Sequence, residues 1–184
     1  MASRSQWIAV GGIVAALLIA LGLGLALSPD LFPVAVGSRA PEFTAVDVAT
    51  GDTVGLAKYR GHVVLLNIWA TWCVPCETEM PSMQRLHQDL GGQGLTIVAV
   101  SIDQASGEVV RTWAAQRGLT FKILHNQSGR IQSIYQTTGV PESFVIDRSG
   151  VIVKKVIGAT VWDHPAQKAL LRRLVVDTAE TSRR

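Results

Sequence analysis

The sequence predicts an α/β domain, a mixed central sheet flanked by helices, preceded by one transmembrane helix. Three observations carry this. Residues 7–27 contain no charge. Two nearly continuous apolar runs, residues 62–69 and 95–100, have the pattern of interior strands covered on both faces. Amphipathic segments follow each run, and an antiparallel hairpin and a last helix close the chain, the order expected of a mixed sheet with helical layers.

As a helix, residues 7–27 would be roughly 30 Å long, about the thickness of a hydrocarbon core. A cleaved leader has an apolar core of only about 7–15 residues. An uncleaved anchor through the lipid bilayer is therefore expected, although small residues such as Ala26 are what a cleavage site would use. Arg4 and the terminal amine precede the span, whereas Asp30 follows it and the next basic residue is Arg39. The positive-inside bias leaves residues 1–6 in the cytoplasm and sends the remainder across. Residues 28–41, with Pro29, Pro33 and Pro41, read as an extended linker.

A single domain is expected over residues 42–178. Residues 43–47 and 53–56 form short strands around Thr50-Gly51-Asp52, an N-terminal hairpin. The first interior strand leads into a helix over 77–90, with Met80, Met83, Leu86 and Leu90 on one face and Gly91-Gly92 at its end. After the second interior strand comes a helix over 107–116 closed by Gly118, a short strand over 121–124 and a short helix over 130–137. Residues 144–147 and 151–156, separated by Arg148-Ser149-Gly150, form the hairpin. A helix over 164–177 offers Leu170, Leu171, Leu174 and Val175 to the sheet, and residues 179–184 form a solvated tail.

The chain's formal net charge is +3, with acidic and basic residues interspersed. No basic cluster with interleaved aromatics points to nucleic acid. Gly91-Gly92-Gln93-Gly94 reads as a helix-ending loop rather than a phosphate cradle. His62, His87, His125 and His164 are isolated and read as surface or partly buried side chains, so a zinc site built on the two cysteines lacks its other half.

The chemistry concentrates in Trp72-Cys73-Val74-Pro75-Cys76, which holds both cysteines of the chain. A strand that turns into a helix opening on Cys-x-x-Cys suits thiol–disulfide exchange. The free N–H groups and dipole of the helix N-terminus favour a thiolate at Cys73, below the free-cysteine pKa of about 8.5. Cys76, one turn later and more shielded, resolves the mixed disulfide. Pro75 stiffens the first turn at no hydrogen-bonding cost. Trp72 and Trp69 could shield the sulfurs, with an ordinary core role for Trp69 the alternative.

Pro81 lies inside the helix and should bend it. Glu79, a turn beyond Cys76, could exchange a proton with it if turned inward, whereas a carboxylate at such a position is ordinarily solvated. Val140-Pro141 precedes a strand and from sequence alone reads as a trans turn. A cis bond there would present the Val140 backbone to a substrate chain. Glu142 reads as a solvated strand-end residue.

The segments Asn67-Ile68-Trp69-Ala70-Thr71-Trp72-Cys73-Val74-Pro75-Cys76-Glu77-Thr78-Glu79-Met80-Pro81 and Gly139-Val140-Pro141-Glu142-Ser143-Phe144-Val145-Ile146-Asp147 resemble the signatures of membrane-anchored TlpA/ResA-type proteins. These are thioredoxin-like and related to cytochrome c biogenesis reductases. The resemblance covers residues 36–178 and implies a thioredoxin-like fold. It makes Cys73 the exposed nucleophile, Cys76 the buried resolving thiol, Glu79 the acidic residue near the pair, and Pro141 a cis-proline. Asn67 occupies the position, six residues before the first cysteine, where the wider fold often has a buried aspartate. Residues 101–127 resemble the family's extra helix and strand.

The resemblance further implies a single-pass enzyme of the bacterial inner membrane with its catalytic domain on the periplasmic or extracytoplasmic side, and a monomer is expected. It would need no cofactor beyond its dithiol, would be kept reduced by a membrane-embedded electron donor, and would act on exported clients such as apocytochrome c or copper-site assembly proteins. The alternatives are an oxidase or isomerase of the same fold, or a copper-binding or client-holding module without redox turnover.

Overall fold

A computed structural model describes residues 4–27 and 34–181, and the chain divides into two units, residues 1–33 and 34–184. The described residues of the first form one helix, α1 (Arg4–Leu27), of which Gln6–Gly24 is long and apolar enough to cross a membrane. Such a helix is about 36 Å long at about 1.5 Å per residue.

The second unit is built on seven strands: β1 (Thr44–Asp47), β2 (Thr53–Gly55), β3 (Val63–Trp69), β4 (Leu95–Ser101), β5 (Lys122–His125), β6 (Glu142–Ile146) and β7 (Ile152–Ile157). They form one sheet in the order β2-β1-β5-β4-β3-β6-β7. β3 is buried along its whole length, parallel to β4 and antiparallel to β6. The helices are α2 (Val74–Leu90), α3 (Gly107–Gln116), α4 (Arg130–Ile134) and α5 (Pro165–Thr181). This is the expected thioredoxin-like mixed sheet, and the insertion has a clear role in it. β5 pairs parallel with β4 and antiparallel with β1, so the extra strand joins the N-terminal hairpin to the core.

The crossovers β3-α2-β4 and β4-α3-β5 advance in the same direction across the sheet. With the usual right-handed connection both helices lie on one face. Arg117 beyond α3 pairs with Glu77 of α2 at 2.6 Å, and Arg172 of α5 reaches Asp89 of α2 at 3.2 Å, so α5 joins them. Side chains alternate along β3, and Asn67 reaches α2, so Leu65, Asn67 and Trp69 face this layer while Leu66 and Ile68 face the other. On that opposite face Phe144, paired with Leu66, packs against Tyr135 at the end of α4.

Element boundaries moved by a few residues, α2 most usefully. It begins at Val74, not residue 77, because Cys73 caps it and a first-turn proline needs no N–H partner. Pro81 lies within it, and the helix continues to Leu90. The linker expected over 28–41 needs correction: from Val34 the chain belongs to the folded unit. Val34 is buried, and the Gly37 N–H and Ser38 carbonyl bond to Ile152 at 2.8 and 2.9 Å, adding a short edge beside β7. The first part of that linker, residues 28–33, and the end of the expected tail, residues 182–184, lie outside the described residues.

Candidate active site

β3 ends at Trp69 and α2 begins at Val74, so the cysteine motif crosses from the carboxyl edge of the parallel strands to a helix N-terminus. Ligands and chemistry gather at that edge in open α/β sheets. Cys73 is the N-cap of α2, and its Sγ accepts the Cys76 backbone N–H at 3.2 Å. The two cysteines form a disulfide with their Cα atoms 5.2 Å apart. Pro75 sits in the first turn as expected.

Cys76 is completely buried and Cys73 keeps 5% exposure. The order of access follows expectation, but "exposed nucleophile" is corrected: in the disulfide state the Cys73 sulfur is tied inward to its buried partner. Exposure instead lies with its neighbours, Trp72 at 64% and Val74 at 73%. Trp69 has the core role, fully buried and 4.8 Å from the Trp113 ring of α3, over which the Arg117 guanidinium sits at 3.8 Å.

Residues 73, 76, 79, 80 and 83 share the inward face of α2, which takes Glu79 into the interior with 2% exposure. The solvated carboxylate ordinarily found at such a position is therefore not what forms. Asn67 Nδ2 donates to its Oε1 at 2.7 Å and to Ser143 Oγ at 2.9 Å, while the Thr160 N–H donates to Oε2 at 3.1 Å. The buried Trp162 indole N–H acts on the same carboxylate, at a geometry too poor for a direct hydrogen bond. Burial pushes the Glu79 pKa up to about 7 against these donors, which pull it down.

The Val140–Pro141 bond is cis, so the turn read from sequence alone as trans is corrected and the resemblance is followed. Glu142 is also corrected. It is completely buried, ion-paired to Lys155 across the β6–β7 hairpin at 2.8 Å, and its Oε2 accepts the Thr138 N–H at 3.2 Å. His125 is buried rather than peripheral, its Nε2 2.8 Å from the Asp103 carbonyl. Among the described residues no group of three or more His, Cys, Asp or Glu side chains is placed to hold a metal ion.

Residues 36–155 match the AhpC/TSA family. Over 158 residues the chain is 38% identical to the thiol-disulfide oxidoreductase ResA of Geobacillus thermodenitrificans, spanning 84% of this chain and 89% of that protein. The chain belongs to the ResA group of the AhpC/TSA family. The ResA of Oceanobacillus iheyensis is 36% identical over 132 residues, 70% of this chain and 68% of that one. A thioredoxin-family thiol:disulfide interchange protein from Chlorobium tepidum shares the architecture, with a TM-score of 0.62, 26% identity, and coverage of 77% of this chain and 95% of its own. As a ResA-type protein this is an extracytoplasmic thiol–disulfide oxidoreductase held by its N-terminal helix, and the Cys73–Cys76 pair is its redox group.

This ResA-type site also contains a clamp that the sequence reading missed. Asp103 is buried just past β4. Its Oδ2 accepts the Thr71 N–H at 2.9 Å and the Ser101 hydroxyl at 2.6 Å, and its Oδ1 accepts the Thr71 hydroxyl at 2.6 Å. The loop two residues before Cys73 is thereby pinned to the sheet. A signal existed in the parallel register: Trp69 pairs with Ser101, so Thr71 and Asp103 leave the sheet at equal offset and side by side. Thr71→Val keeps the backbone bond and removes the hydroxyl one. It is expected to cost about 1–3 kcal/mol in denaturant unfolding, with Thr71→Ser restoring the loss.

Proposed function

We propose that this protein is a reductase of exported disulfides. Cys73 thiolate attacks a client disulfide, forming a Cys73–client disulfide and releasing one client thiolate. Cys76 then attacks Cys73 Sγ, closing the Cys73–Cys76 disulfide and releasing the second client thiol, so two electrons pass to the client. The observation that carries the assignment is the Cys76 N–H on Cys73 Sγ at 3.2 Å: a helix-start donor aimed at one sulfur while the other lies behind it without exposure. Glu79 is the group that takes the Cys76 proton, a buried carboxyl whose pKa of about 7 matches the working pH.

Exposed Trp72 and Val74 form the rim, and the Val140-Pro141 segment faces the client chain. The clients are apocytochrome c or copper-site assembly proteins, which gives the protein a place in cytochrome c-type biogenesis. A membrane-embedded thiol reductase returns the electrons. Residues 1–6 lie in the cytoplasm and residues 7–27 cross the bilayer.

Two measurements test this reading. Equilibration of the full chain with glutathione and dithiothreitol is expected to give a potential more negative than about −200 mV, whereas a value near about −120 mV, that of a strong oxidant, would reverse the direction. A C-terminal reporter active only outside the cytoplasm is expected to be active, and a silent one refutes the topology.

A further inference from the structure

Donors converge on the Glu79 carboxylate and none of its partners there is acting as an acceptor. Asn67 Nδ2 and the Thr160 N–H both donate to it, and the Trp162 indole N–H, not itself hydrogen-bonded, lies near enough to favour the anion. This arrangement suits the anion. The acid form carries a proton of its own, and neither a backbone amide nor an indole N–H can accept it. Asn67 is different. Its side chain carries an acceptor beside its donor, and that Oδ1 is buried with no hydrogen-bond partner.

Resting on the reading of Glu79 as proton carrier, we propose that the Asn67 side-chain amide turns over with Glu79 protonation, offering Nδ2 to the carboxylate and Oδ1 to the carboxylic acid. Oxygen and NH2 are nearly the same size, so the turn leaves the packing of β3 against α2 undisturbed. Ser143 follows without moving: its hydroxyl accepts from Nδ2 at 2.9 Å in one state and donates to Oδ1 in the other. When Cys76 attacks the mixed disulfide, its S–H bond breaks and an O–H bond forms on Glu79. The turned Asn67 accepts that O–H, so the arriving proton meets an acceptor, and Nδ2 moves into the buried, unpartnered place that Oδ1 held before. An aspartate at position 67 could not do this, since it has no donor for the Glu79 anion.

The groups bearing on Glu79 are Asn67 of β3 and Thr160 and Trp162 of the β7–α5 connection, with Ser143 of β6 behind Asn67. None carries a charge. Along α2, Glu77 is turned outward to Arg117, and Cys76, on the same face as Glu79, is held in the disulfide. Asn67 is thus a positioning residue, and its amide orientation reports the state of one proton.

Full-length protein in detergent, oxidised, with 13C-labelled Glu and 15N-labelled Asn, tests this between pH 5 and 9. The Asn67 NH2 resonances are expected to shift with the midpoint of the Glu79 carboxyl carbon. Their cross-relaxation to Glu79 side-chain protons should be present in the alkaline form and lost in the acid form. Titration of Glu79 with an unchanged Asn67 pattern overturns the turnover alone. No titration of Glu79 in this range overturns the proton-carrier reading and the turnover with it. In stopped-flow exchange, Asn67→Leu takes a partner from both the anion and the acid and is expected to leave the pH limb of the resolving step within about half a unit of its place, whereas a limb moved upward by about one unit or more marks Asn67 as a fixed donor to the anion and overturns the turnover.

Discussion

Full-length protein carrying Cys76→Ser is expected to lose steady-state disulfide reduction to the uncatalysed background while accumulating clients covalently attached to Cys73. The substitution separates the two half-reactions because the group supporting Cys73 is the backbone N–H of residue 76, which serine retains. Helix α2, its N-cap and its first-turn proline are likewise unchanged, so the first attack proceeds. The serine hydroxyl at neutral pH is no match for a thiolate as nucleophile, and the mixed disulfide persists. Cys73→Ser is expected to abolish both turnover and adducts. Non-reducing electrophoresis of membranes, followed by mass spectrometry of the adducts, reads both outcomes and names the clients. Adducts on Cys76 in the Cys73→Ser protein, with none on Cys73 in the Cys76→Ser protein, would reverse the assigned roles. Continued turnover by either variant would remove the dithiol mechanism altogether.

The architecture was legible where the signal is local. β3 and β4 announce themselves as unbroken apolar runs, and the inward face of α2 as Met80, Met83, Leu86 and Leu90, because burial on both faces or along one stripe writes itself into consecutive residues. The cysteine pair was legible for the same reason: its geometry is contained within four residues of a helix start. What escaped depends on partners distant in sequence. Glu79 is sealed by Thr160 and Trp162, about eighty residues on, and nothing around Glu79 itself encodes that cover. Glu142 looked like a strand end and is buried because Lys155 returns beside it across the hairpin. Residues 34–41 have a linker's composition, yet backbone bonds to Ile152 draw part of that segment onto the sheet, and backbone bonding leaves little trace in side-chain pattern. The Asp103 clamp needs the β3–β4 register before Thr71 and Asp103 become neighbours.

Glu79→Gln is expected to stabilise the oxidised protein at pH 8 while slowing its resolving step, and the stability effect should vanish in acid. Unfolded, Glu79 titrates near 4.5; folded, burial raises that to about 7. Between those values the folded chain holds a proton that the unfolded chain has released. The stability contributed is whole below about pH 4.5, is lost as pH rises through 7, and then stays flat. At about 1.4 kcal/mol per unit the displacement amounts to about 3 kcal/mol. Glutamine carries no charge at any pH and mimics the acid form, its amide able to donate to Asn67 Oδ1 while its oxygen accepts the Thr160 N–H. Other groups slope the opposite way: burial lowers the His87 pKa, and the partners Lys168 and Arg85 hold Asp89 and Asp163 below the usual carboxylate range, so each loses stability toward acid. Those contributions are common to both proteins and cancel in the difference. Denaturant unfolding of the two chains at pH 4.5 and pH 8 should show the gap widening by about 3 kcal/mol toward alkaline pH. Parallel curves would mean that Glu79 is already ionised at little cost in the folded state, and the proton that Cys76 gives up would then need another destination.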